Sequence, residues 1–341
     1  MVQDSTVSIQ LSVWNIHGYK SKIIGNKLTD SLFLSEIKND DIVSLVETHN
    51  SNIDDNLSIP GFKRVKIKNR DSNSIKSNGG IACFAKDKFS DHIIPINTTN
   101  EDVIWMKLKK DIFDMKHDIF IGTVYLTPYK NTSDSSKKIL DLFEEILRFQ
   151  KKGEVILQGD FNARTSVNDD TVAIDKYDDE FAIPMEGMEN NVQNRNSNDK
   201  VPADHRGKEL LEMCKSLGLL ILNGRKTGDL FCEYTSFQWN GNSVVDYVIA
   251  SNSIYSSINY FKVGSFIPWL SDHFAPRYRL DSCLEKYSGS DNKKPGIKLE
   301  NLFWKDDSPD KFISILSSYE QKISEILNSP DTDAKGIVDK F

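Results

Sequence analysis

Glu154-Val155-Ile156-Leu157-Gln158-Gly159-Asp160-Phe161-Asn162-Ala163-Arg164 is the stretch whose reading decides the rest of the chain. An apolar run with β-branched residues ends in a glycine, and Asp, Asn and Arg follow at alternate positions. Residues 155–157 predict a buried strand of four or five residues. Gly159 lets the backbone bend, or another chain approach closely, just past the strand end. Side chains two apart on an extended chain face the same way, so Asp160 and Asn162 share one side. A carboxylate beside an amide at such an edge can hold a water, a hard metal ion or a phosphate oxygen. Taken alone, the segment reads as a surface turn, because Gly-Asp and Asn are ordinary turn residues. The remainder of the chain reverses that reading.

Working outward, polar residues recur at the ends of apolar strands. Residues 8–14 alternate apolar and polar, which predicts a half-buried strand, and they stop at Asn15-Ile16-His17-Gly18. Residues 41–49 predict a second buried strand, closing on Glu47-Thr48-His49. Strands follow at 80–85 after the Asn78-Gly79-Gly80 hairpin signal, at 103–108, and at 118–126 with Tyr125 near its end. Residues 135–150 carry Ile139, Leu142, Phe143, Ile146 and Leu147 at helical spacing. Residues 165–205 are rich in Asn and Asp without periodicity, which predicts a long surface loop. A helix at 208–217 and a strand at 219–222 come next. Residues 233–239 and 243–250 flank Asn240-Gly241, which predicts a hairpin between them. Asp246 interrupts an apolar strand and needs a partner there, since a buried unpaired carboxylate is costly. Ser271-Asp272-His273 offers an imidazole, ahead of a last strand at 277–280.

Composition narrows the class. With 341 residues, 38% hydrophobic content and 27% charged content, the chain suits a globular protein with a sizeable core. No apolar run approaches the roughly 18–20 residues of a membrane span. The first residues show no secretory pattern, and four scattered cysteines without a C-x-x-C pair argue for a reducing compartment, nucleus or cytoplasm. A net charge of −7 argues against a protein that simply coats nucleic acid, but leaves room for an enzyme acting on phosphate through a local site.

In their set and order, Asn15, Glu47-Thr48-His49, Tyr125, Gly159-Asp160-Phe161-Asn162, Asp246-Tyr247 and Ser271-Asp272-His273 resemble the successive motifs of the endonuclease/exonuclease/phosphatase superfamily. Within it the chain is most similar to the abasic-endonuclease-like domain that opens the polyprotein of non-LTR retrotransposons. The run from Asn194-Arg195-Asn196-Ser197 through Leu222-Asn223-Gly224-Arg225 adds to that likeness. The resemblance implies a four-layer α/β sandwich of two packed mixed β-sheets with outer helices, and a metal site where strand ends converge. It implies Mg²⁺, with Mn²⁺ able to substitute, bound by Glu47 with Asn15 and Asp272. Asp160 would orient or deprotonate the attacking water, Asn162 would fix water and phosphate, and Tyr125 would donate to phosphate. His273 would meet a phosphate oxygen as imidazolium, held by Asp246.

The implied reaction is phosphodiester hydrolysis, nicking duplex DNA. Two alternatives stay open: an inositol-phosphate type phosphomonoesterase of the same superfamily, and a decayed copy that only binds nucleic acid. Pro128 stands where repair enzymes often show Asn. At 244–247 the chain has Val-Val-Asp-Tyr in place of the Trp-Cys-Asp-Arg usual in inositol-polyphosphate phosphatases. The expected substrate contacts are Lys76, beside the glycine corner, and Thr235, at the start of the hairpin running to Ser243. The domain is expected to span 7–282, with a polar linker at 283–307. An amphipathic helical tail at 308–341 is expected to open a truncated downstream region, with a reverse transcriptase as the partner in a full-length polyprotein.

Overall fold

Alternation of inward and outward residues along the strands determines the layers. The computed structural model describes residues 7–51, 57–69, 79–113, 115–171, 194–239 and 241–282. Lys76, the linker and the tail lie outside the described residues. In chain order the strands are β1 (Ser8–Asn15), β2 (Lys20–Ser21), β3 (Gly25–Asn26), β4 (Ile42–Val46), β5 (Phe62–Lys68), β6 (Ile81–Lys86), β7 (Ile93–Ile96) and β8 (Val103–Leu108). They continue with β9 (Asp118–Tyr125), β10 (Gly153–Asp160), β11 (Leu219–Ile221), β12 (Ser236–Gln238), β13 (Gly241–Ser243), β14 (Asp246–Ser251), β15 (Ile258–Val263) and β16 (Pro276–Asp281). The helices are α1 (Ser31–Ile37), α2 (Thr132–Gln150) and α3 (His205–Leu217).

Two six-stranded sheets form, in the orders β15-β16-β1-β4-β6-β5 and β11-β14-β10-β9-β8-β7. Each has one parallel pair, β1 with β4 and β9 with β10, and every other neighbour is antiparallel. Ile9, Leu11 and Val13 of β1 face Ile121 and Ile156 of the second sheet in one apolar core between the sheets. The alternate residues face outward. Trp14, Val43 and Leu45 pack with Phe33 and Ile37 of α1. Val155 and Leu157 pack with Ile146 of α2 and Leu210 of α3. This is the four-layer α/β sandwich that the sequence predicts.

Two expectations change. Residues 233–239 and 243–250 do not pair along their length. Only β12 and β13 form a short ribbon, while β14 lies between β10 and β11. The Val248–Ala250 stretch is fully buried there, and a free two-stranded hairpin could not cover it. The strand anticipated at 155–157 runs from Gly153 to Asp160, through Gly159. At φ +141° Gly159 lies against β9, where a Cβ would sit 1.9 Å from the Val124 carbonyl oxygen. Close approach, one of the two readings of this glycine, is what occurs.

Candidate active site

Period-two alternation carries the inward-facing row of each central strand to a polar last member. Leu11 and Val13 lead to Asn15, Ile121 and Thr123 to Tyr125, and Ile156 and Gln158 to Asp160, while Asp246 begins β14 on the same side as Val248. All four end residues are buried, at 3% exposure or less. The register sets Asp160 opposite both Tyr125 and Asp246. The core therefore closes at this edge with polar groups, which must find partners.

They do. Asn15 Nδ2 donates to Asp160 Oδ2 at 3.0 Å, which joins the two sheets. The Asn162 main-chain N–H donates to Asp160 Oδ1 at 2.8 Å, and its side-chain amide donates to Asp160 Oδ2 at 3.1 Å and to the Leu126 carbonyl at 2.9 Å. Asn162 reaches Asp160 by turning back at φ +45°, not along an extended chain. The Tyr125 hydroxyl donates to Glu47 Oε1. His273 Nδ1 meets Asp246 Oδ2 at 2.8 Å, the partner that Asp246 required. Trp14 Nε1 donates to the His273 carbonyl at 2.9 Å, and the Ser271 hydroxyl donates to the Asn15 carbonyl at 2.6 Å.

Backbone strain gathers at the same place. Six non-glycine residues among those described have positive φ, and His17, Glu47, His49 and Asn162 are four of them. Such conformations cost on the order of 1–3 kcal/mol each and persist only where the surroundings enforce them.

Electrostatics divides the cluster. Burial raises the Asp160 carboxyl to about 7, and the neighbouring Asp246 and Glu47 charges push the same way against His273 and the Asn162 amide. Burial would lower the His273 imidazole, but Asp246, Asp160 and Asp272 outweigh it and raise it to about 10. Burial and then the Glu47 charge hold the Tyr125 phenol far above its usual range, so it remains a donor. Asp272 stays low despite burial, because His17 Nδ1 lies 3.1 Å from its Oδ1.

One oxygen or nitrogen from each of Asp160, Asp246 and His273 lies within 4.8 Å of the others, the spacing of a metal cage. The chemistry opposes metal at that spot, since His273 is an imidazolium at neutral pH with Nδ1 committed to Asp246. A hard cation fits better on the oxygen atoms of Glu47 and Asn15. Glu47 is partly open to solvent, and its charge adds to that of Asp246 in raising Asp160.

Most residues named from sequence thus meet at one edge, and Asp272 joins them through His17. Thr235 does not present its hydroxyl to a substrate. It is fully buried, and its Oγ1 accepts the N–H groups of Val245 and Asp246, both at 3.0 Å. Asn223 braces the same strand, accepting from Val248 N–H at 3.2 Å and donating to the Asp246 carbonyl at 3.1 Å. Sequence reasoning passed over Lys27 and gave no role of their own to His17 and Ser271, which it named only within their segments. The signal for His17 was its position two residues after Asn15, on the turn that leaves β1.

A sequence family described as "Endonuclease-reverse transcriptase" matches residues 119–276. No curated protein sequence matches. Among solved structures, the chain is similar to the 3'-5' exonuclease NExo from Neisseria meningitidis, at 14% identity and TM-score 0.52, covering 80% of this chain and 99% of that one. It is similar to the AP endonuclease LMAP from Leishmania major, at 14% identity and TM-score 0.52, covering 80% and 87%. The APE2 catalytic domain from Xenopus laevis gives 14% identity and TM-score 0.52 over 82% and 94%. At these identities the structures speak for the fold alone, and the family match covers β9 to the start of β16, where Tyr125, Asp160, Asn162, Asp246, Asp272 and His273 lie. The matched segment and the shared fold together support the endonuclease/exonuclease/phosphatase superfamily.

Proposed function

We propose that the chain is a divalent-metal-dependent phosphodiester hydrolase that nicks duplex DNA, with Mg²⁺ as the metal. The observation that carries the reading is the buried Asp160–Asp246–His273 group, set directly against Asn15 and Glu47 of the other sheet. Glu47, with Asn15, would hold the metal, and Asp272 would serve it or the surrounding network through His17. When bound, such an ion supplies charge stabilisation at phosphate oxygens. Asp160, with its carboxyl raised to about 7, is poised to orient the attacking water and take its proton near neutral pH. His273 donates to a phosphate oxygen through Nε2, because Nδ1 is held by Asp246. Asn162 and Tyr125 supply neutral donors at the same edge. DNA as substrate, and association with a reverse transcriptase region, belong to this proposal and draw support from the description of the matching family.

Relaxation of a supercoiled plasmid with Mg²⁺, and its loss with EDTA, tests the proposal. The same protein is assayed on an abasic duplex and on an inositol polyphosphate. Preferential release of phosphate from the inositol substrate would replace the nuclease reading with the phosphomonoesterase one. No turnover of any of the three would favour a copy that only binds.

A further inference from the structure

Lys27 is buried at 5% exposure, in surroundings that call for an apolar side chain. Ile16, Leu28 and Leu270 belong to the apolar cluster around it. It opens a short 3-10 turn, Lys27–Thr29, capped by Asn26, whose side-chain oxygen accepts the Leu28 N–H. From there the ammonium donates to three main-chain carbonyls: Ile16 at 2.7 Å, His17 at 3.2 Å and Leu270 at 2.5 Å. An ammonium has three donors, so all are used. Burial lowers the amine to about 8, with the Asp272 carboxylate opposing, which leaves it charged at neutral pH.

The three acceptors carry the meaning of the contact. Ile16 and His17 directly follow Asn15, and Leu270 directly precedes Ser271-Asp272-His273. Among the described residues, the other hydrogen-bond links between these loops, Ser271 to Asn15, Trp14 to His273 and His17 to Asp272, come from the loops or from β1 itself. Lys27 reaches in from a separate turn and holds both. A leucine or methionine would fill the space without the cost of burying a charge. We infer that Lys27 is a positioning residue: its ammonium, caged by three carbonyls, fixes the Asn15–His17 loop against the Ser271–His273 loop and so sets the separation of the two halves of the site. A displacement of about 1 Å in such a constellation costs on the order of 100-fold in rate.

The kinetic arm of the test rests on the hydrolase reading above, and a spectroscopic arm does not. Lys27→Ala should lower kcat about 100-fold, with KM changed by less than about threefold. Propylammonium restores the three missing carbons and the nitrogen, so it should recover at least tenfold of that loss in a saturable way, on the order expected for regained positioning. Tetramethylammonium at equal ionic strength should not. The proton NMR signal of His273 Nδ1–H should shift or broaden in Lys27→Ala and return with propylammonium, whether or not the parent cleaves DNA. A folded Lys27→Ala with parental kcat and parental His273 signal overturns the inference. So does propylammonium that raises the melting temperature while kcat and the His273 signal stay as in the variant. If Lys27→Ala does not fold, Lys27→Arg decides: it keeps the charge with a different donor geometry. Reduced kcat or a shifted His273 signal at parental melting temperature supports the inference, and parental values of both overturn it.

Discussion

Each sheet sends its one parallel pair to the site, β1 and β4 from the first, β9 and β10 from the second, and the two pairs finish differently. The second pair ends in Tyr125 and Asp160, both fully enclosed and joined by the equally buried Asp246 and His273. The first pair ends in Asn15, which is buried, and then Glu47, His17 and His49, whose strained backbones turn toward solvent. Charges gathered in a dry place shift one another strongly, as the Asp160 and His273 values show. Charges at the open edge are left for a cation or a substrate to meet. We therefore assign proton handling to the enclosed half and metal holding to the open half, and each prediction below strains that division.

The largest effect is expected in the enclosed half. Asp160→Asn or His273→Ala should each cut single-turnover cleavage about 10³-fold, within the range for loss of a positioned acid or base. Because the two act in one transition state, the double variant should be little worse than either single one. Additive losses, measured in a full double-mutant cycle with folding checked by circular dichroism, would separate the two residues and break the enclosed unit apart.

In the open half the loss should be recoverable. Glu47→Gln should weaken the apparent Mg²⁺ affinity about 10–100-fold, the scale seen when a metal's carboxylate surroundings are altered. Saturating metal should then bring back most of kcat. Metal titrations of the variant and of Asp160→Asn side by side are the check, and an Asp160→Asn defect that high Mg²⁺ repairs would erase the contrast.

Much of this geometry was legible in sequence, and the failures share a cause. The central strands are apolar runs with one conspicuous polar end residue, so β1, β4, β9, β10 and β14 could be read directly, while the roles of Asn15, Glu47, Tyr125, Asp160 and Asp246 came only with the resemblance that their set and order carry. Within the two six-stranded sheets, the strands that went unread, β5, β7 and β15, are all edges. Their alternation is diluted by Lys63, Arg64, Lys66 and Lys68, by Pro95, and by Asn259 and Lys262, residue types that protect an edge from further pairing. Lys27 was missed, and Ser271 was given no role of its own, because they act through main-chain carbonyls, which leave no mark on residue type. Thr235 was misassigned because a hydroxyl beside a candidate substrate ribbon looks the same in sequence whether it faces out or caps a buried strand.

The pH dependence of stability should expose the strain of the enclosed half. Asp160 binds its proton more tightly folded, at about 7, than unfolded, near 3.8, so its favourable contribution is complete below pH 4 and lost as pH rises through 7. His273, raised to about 10 from 6.5, contributes fully below pH 6.5 and loses that contribution as pH climbs through 10. Both slopes descend with pH. Asp160→Asn in EDTA should abolish the fall between pH 4 and 7 and shrink the one between 7 and 10, because the Asp160 charge helps to raise His273. Thermal melts across pH 4–10 decide it, and an unchanged acid-side slope would mean that Asp160 is not the strained group.

The smallest effect is expected where the ribbon meets the enclosed half. Thr235 Oγ1 satisfies the N–H groups of Val245 and Asp246, where β14 begins, and the Thr235 side chain is buried with them. Thr235→Val keeps the shape and leaves two buried donors without their acceptor, which should destabilise the protein by about 1–3 kcal/mol. Thr235→Ser restores the acceptor and should recover most of that loss. Because the hydroxyl faces the strand and not the open edge, KM for plasmid DNA should stay within about twofold in both variants, the scatter expected when no binding contact is removed. A rise in KM on Thr235→Val, with stability intact, would return Thr235 to the substrate side and redraw the boundary between the two halves.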